Sequence, residues 1–100
     1  MTRTVRWAQE AQADREAIFT YLCKEAGLAV ASAADEKFTK MVVLIRAFPH
    51  SGTVAGKTEE QRKITLSRFP FILVYAVEPA TIDILRILHT SSRIAGHYSP

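Results

Sequence analysis

Arg62-Lys-Ile-Thr-Leu-Ser-Arg-Phe-Pro-Phe-Ile-Leu-Val-Tyr-Ala-Val-Glu-Pro-Ala-Thr-Ile-Asp-Ile-Leu-Arg-Ile-Leu-His89 is the stretch that decides the fold. It is rich in Ile, Leu, Val, Phe and Tyr, side chains that suit a pleated, half-buried surface. Pro70 interrupts it once and Glu78-Pro79-Ala80-Thr81 again, so three consecutive strands joined by two short turns are predicted. Links this short make neighbours antiparallel, because a parallel crossover needs a dozen or more residues. Arg62, Lys63, Arg68 and Arg86 are set into the apolar block, with His89 at its end and Arg93 just beyond. A core sheet does not need these groups, so function is expected here.

Upstream, His50 to Gln61 has two glycines, mostly polar residues and no period, and reads as an exposed, mobile loop. Before it, Leu28 to Phe48 carries Ala31, Ala34, Phe38, Met41, Val42, Ile45 and Phe48 mostly three or four residues apart, the apolar stripe of a helix. Pro49 ends that helix, and Ser32 with Asp35 resembles a capping pair near its start. Ala8 to Ala26 lacks Gly and Pro and is rich in good helix formers. Its apolar positions are Ala11, Ile18, Tyr21, Leu22 and Cys23, and Gly27 is its stop signal. Arg3 to Trp7 alternates as a short first strand, with Val5 and Trp7 on one face.

The predicted fold is therefore α+β. An N-terminal strand precedes an antiparallel helical hairpin (about 8–48), packed on one face of a C-terminal antiparallel or mixed sheet. The three-strand block spans about 62–89, and a polar tail follows over 90–100. The helical stripes need a partner, and this sheet is the only large one in the chain.

One hundred residues suit a single domain. No apolar run approaches the ~20 residues that span a bilayer, so no membrane role is expected. Cys23 is the only cysteine, which excludes an intramolecular disulfide and fits a cytoplasmic protein. The net charge of +3 is spread along the chain, with seven basic and six acidic residues in 1–50 and six and four in 51–100. Such a balance is compatible with contact to nucleic acid or an acidic protein and demands neither. There is no glycine-rich phosphate loop, and His50, His89, His97 and Cys23 lack the spacing of a metal set. No cofactor and no metal are expected.

Several fragments, taken in order, carry a family resemblance. They are Ala11-x-x-Asp14, Ile18-x-x-Tyr21, Gly27, Leu44-Ile45 before Phe48-Pro49-x-x-Gly52, and Arg62 at the next strand. Phe69-Pro70-Phe71-Ile72-Leu73-Val74-Tyr75 follows, then Ile84-Leu85-Arg86-Ile87-Leu88-His89 with Arg93 beyond. Across nearly the whole chain this resembles the RelE/ParE superfamily of toxins from bacterial type II toxin–antitoxin systems. The Phe69-Pro70-Phe71 turn is closer to the ParE branch. The resemblance implies a growth-arresting, plasmid-stabilising toxin neutralised by a cognate antitoxin in a toxin–antitoxin hetero-oligomer.

ParE-like members poison DNA gyrase, and RelE-like members cleave mRNA on the ribosome. On the gyrase reading the target contacts are Arg86, Arg93, His97 and Tyr98, and no catalytic residue is required. On the alternative, a metal-independent endoribonuclease, His89 acts as acid or base while Arg62 and Arg93 hold the phosphate. An inactive relative that only binds an antitoxin is a third reading.

Strand parity bears on the choice. In a regular last strand Asp83, Leu85, Ile87 and His89 share one face, while Ile82, Ile84, Arg86 and Leu88 share the other. His89 and Arg86 then point apart. Each basic group also has a plain structural reading: His89 as a rim residue, Arg86 as a cover paired with Asp83 or Glu78, and Tyr75 as core.

Overall fold

The computed structural model describes residues 3–56 and 58–91. In chain order the elements are β1 (Thr4–Trp7), α1 (Gln9–Ala26), α2 (Leu28–Ala47), β2 (Thr53–Val54), β3 (Gln61–Thr65), β4 (Phe71–Val77) and β5 (Thr81–His89). The strands form one sheet in the order β1-β5-β4-β3-β2. The three strands read from the apolar block pair antiparallel, β3 with β4 and β4 with β5. β1 pairs parallel to β5, which the long helical connection between them permits.

Gly27 makes the hairpin of helices. Its φ of 95° breaks the helical path, and its N–H still bonds the carbonyls of Leu22 and Cys23. It also stands directly before α2, so Ser32 lies inside that helix and is not its cap. Asp35 instead binds Arg15 across the hairpin, with Nε 2.6 Å from Oδ1. The Arg15 guanidinium lies 4.9 Å from the Trp7 ring centre, which ties the hairpin to the end of β1.

Both helices lie on one face of the sheet. The core there gathers Ala11, Phe38 and Ile45 from the helices with Leu73, Tyr75, Val77, Ile82 and Ile84 from the strands. The buried stripe of α1 is narrower than its apolar positions imply, and Tyr21 is exposed. Phe48, expected to continue the stripe of α2, is likewise exposed at its end. Ala11 is fully buried, so its small side chain lets α1 lie close to the sheet. On the opposite face Ile72, Val74 and Leu88 form a second cluster with Leu85. β4, the central strand, is buried along its whole length.

Two further expectations are corrected. The stretch from His50 to Gln61 is not a plain exposed loop. It contains β2, which pairs with β3, and both Gly52 and Ala55 are buried. The strand-parity rule also fails in β5. Val74 pairs with Arg86 and Tyr75 with Ile84, so Leu85 is an extra residue and β5 carries a bulge. Ile82 and Ile84 face the helices before it, and Ile87 faces them after it.

Candidate functional site

The bulge explains Arg86. Its side chain reaches α1, where Nε donates to Asp14 Oδ2 at 2.8 Å and Nη2 to Oδ1 at 3.1 Å. The same carboxylate accepts the Ile87 N–H at 2.9 Å, a donor that the bulge removes from the ladder. Glu10 lies 3.7 Å from Arg86 Nη1. Arg86 therefore joins α1 to β5, and its partners are not Asp83 or Glu78. Asp83 is held on the other face by Arg6, with Nε 2.8 Å from Oδ1. That hydrogen bond, and then the Asp83 charge, raise the Arg6 pKa above its ordinary value.

His89 also lies on the helix side, because the bulge shifts the alternation. It is opposite Phe71 in the ladder, and its ring meets that of Phe71 edge-on with centres 5.7 Å apart. Arg86 stands opposite Val74 in the ladder, and its guanidinium reaches Asp14 of α1. The Ser91 N–H donates to His89 Nδ1 at 3.1 Å, and Ser91 Oγ lies 2.7 Å from the same nitrogen. An acceptor at Nδ1 places the proton of a neutral ring on Nε2.

Arg62 sits at the other end of the sheet. It is opposite Tyr75, and Nη1 donates to the Gly52 carbonyl at 2.9 Å. The fully buried Tyr75 hydroxyl donates to the Pro49 carbonyl at 2.8 Å and accepts the Gly52 N–H at 3.0 Å. Together these side chains latch the segment after α2 onto the sheet. Gly52 is required by space: a Cβ there would lie 2.5 Å from the Lys63 carbonyl oxygen and 2.7 Å from the Tyr75 hydroxyl.

Phosphate-ester cleavage needs its base, acid and cations around one phosphate. Arg62 and His89 are separated by four residues along β4 and by two strand spacings, about 16 Å at the backbone. The structure does not bring them together. Arg93, His97 and Tyr98 lie outside the described residues. Among the described residues no group of His, Cys, Asp and Glu is arranged to hold a metal ion. No described helix is long and apolar enough to cross a membrane.

Lys37 and Lys40 are basic residues that the strand-centred reading passed over. With Arg68, Ser67 and Phe69 they line a cleft of about 400 Å³ between α2 and the β3–β4 turn. Their spacing on a helix was the available signal, since residues three apart share a face.

A helical hairpin latched by Arg86 and Asp14 to a five-stranded mixed sheet defines an α+β protein. The sequence profile of the ParE toxins of type II toxin–antitoxin (parDE) systems matches residues 5–94, and the chain belongs to that family. Among solved structures it is similar to the chromosomal ParDE toxin–antitoxin system of P. aeruginosa, with 26% identity and a TM-score of 0.76. That match covers 88% of this chain and 96% of the other. No curated protein matches the sequence. The chain is the toxin component of a type II system, and a cognate antitoxin is its partner.

Proposed function

We propose that this toxin inhibits DNA gyrase, acts in the cytoplasm, and is neutralised within a toxin–antitoxin hetero-oligomer. Membership of the ParE family over residues 5–94 is the observation that carries this reading. The separation of Arg62 from His89 supports a binding toxin over a nuclease. The proposed target contacts are Arg93, His97 and Tyr98, on the chain that follows β5. Arg86 contributes by holding β5 in place, because its guanidinium is engaged by Asp14.

A paired assay tests the reading. Purified toxin is added to a gyrase supercoiling reaction and to a translation reaction in which mRNA is followed by primer extension. The expected result is loss of supercoiling with intact mRNA. Ribosome-dependent cleavage in phase with codons would overturn it in favour of the endonuclease. In that event His89→Ala should slow cleavage by about 10²–10⁴-fold. In cells, expression of the toxin alone should arrest growth, and co-expression of the antitoxin should relieve the arrest.

A further inference from the structure

Lys37 and Lys40 lie on one face of α2, and Arg68 faces them from the β3–β4 turn across the cleft. Arg68 has a φ of 72° and is the only non-glycine residue with positive φ among those described. That region disfavours side chains with a Cβ, and a turn of this shape is easier with glycine. The backbone gains nothing from an arginine there. A residue held in such a conformation at a surface cleft points to a use for its side chain.

The charges in the cleft are unbalanced. Glu36 lies 3.4 Å from Lys40. Among the described residues neither Lys37 nor Arg68 forms an ion pair. Three cations therefore face one carboxylate, with the Ser67 hydroxyl as a further donor.

We infer that this cleft binds a phosphate group of a nucleic-acid backbone. Arg68 offers a planar fork that takes two oxygens, while the two lysines act as point charges from another direction. A tetrahedral phosphodiester can accept from both sides. Phe69 supplies an apolar wall beside the charges, suited to a sugar or an unstacked base. The site is built from α2 and the β3–β4 turn and does not depend on gyrase being the target.

The test is the anisotropy of a short labelled DNA duplex titrated with the purified toxin over a range of salt concentrations. The wild type should bind, with affinity falling linearly in log salt. Arg68→Gly removes the guanidinium and relieves the left-handed backbone, so the variant should fold at least as well as the parent. Its affinity should drop roughly eightfold at about 0.1 M salt, and the slope by about one, the loss of a single phosphate contact. Lys37→Ala should produce a similar drop. Unchanged binding by Arg68→Gly would overturn the inference. So would absence of binding by the wild type at low salt, or a preference for a polyglutamate peptide over the duplex at equal salt.

Discussion

Two arginine–carboxylate pairs tie the same strand to different elements, one to α1 and the other to β1. Arg86–Asp14 and Arg6–Asp83 have the same shortest distance of 2.8 Å and the same forked geometry. Their surroundings differ. The Arg86 and Asp14 side chains are 25% and 17% exposed, whereas Arg6 is 64% exposed beside Asp83 at 22%. Asp14 also satisfies a backbone donor that the bulge has orphaned. The inner pair is part of how α1 docks. The outer pair joins two strands already held by the ladder, in water that screens it. Matching distances do not imply matching contributions.

The largest expected effect comes from Asp14→Ala. It removes the carboxylate that Arg86 and the Ile87 N–H share, and should lower stability by about 2–3 kcal/mol in a denaturant titration. Asp14→Asn keeps an acceptor for Ile87 and should lose less, which separates the hydrogen bond from the charge. If both variants unfold at the parent midpoint, the inner pair is no more than a surface contact.

Tyr75→Phe comes next. It removes the hydroxyl that serves both Pro49 and Gly52, and should cost about 1–3 kcal/mol. Proteolysis should then begin within the segment after α2. Arg6→Ala is expected to do least, with no measurable shift in the unfolding midpoint and no dependence of that result on salt. The Arg6 pKa is raised in the folded state, so the pair's contribution is present below the unfolded arginine value and lost only as pH rises through the folded one. Both lie in strong alkali, and stability between acid and mildly basic pH should not report this pair. A clear destabilisation by Arg6→Ala would remove the contrast between the two pairs.

Much of this architecture was legible in residue types. The two stripes gave the helices, Gly27 the turn between them, and the Pro-punctuated apolar block the three antiparallel strands. The bulge was not legible. Counting by twos assumes that every residue of a strand faces one partner, and nothing in Ile84-Leu85-Arg86-Ile87 marks the extra residue. The side chain that stabilises it, Asp14, lies on a helix more than seventy residues away in sequence. β2 escaped for a different reason: two residues have no periodicity, and the segment is held through Gly52, just before it, by Tyr75 and Arg62. At the site, His89 and Arg62 were recognisable as chemistry-bearing groups, but their separation depends on which ends of the strands meet. The basic cleft joins a helix to a turn, and no local pattern announces such a pairing.

The parallel pairing of β1 with β5 has a consequence for the timing of assembly. Arg6 and Asp83 are neighbours in space and 77 residues apart in the chain. During synthesis the first strand must wait, unpaired, until the last strand has been made. α1 waits with it, since Asp14 finds its partners only on β5. A chain stalled after Pro79 should lack protease-resistant structure, whereas one extended past Ser91 should acquire it. Toxicity on this account requires that β5 has been made, since neither β1 nor α1 has its partners before then.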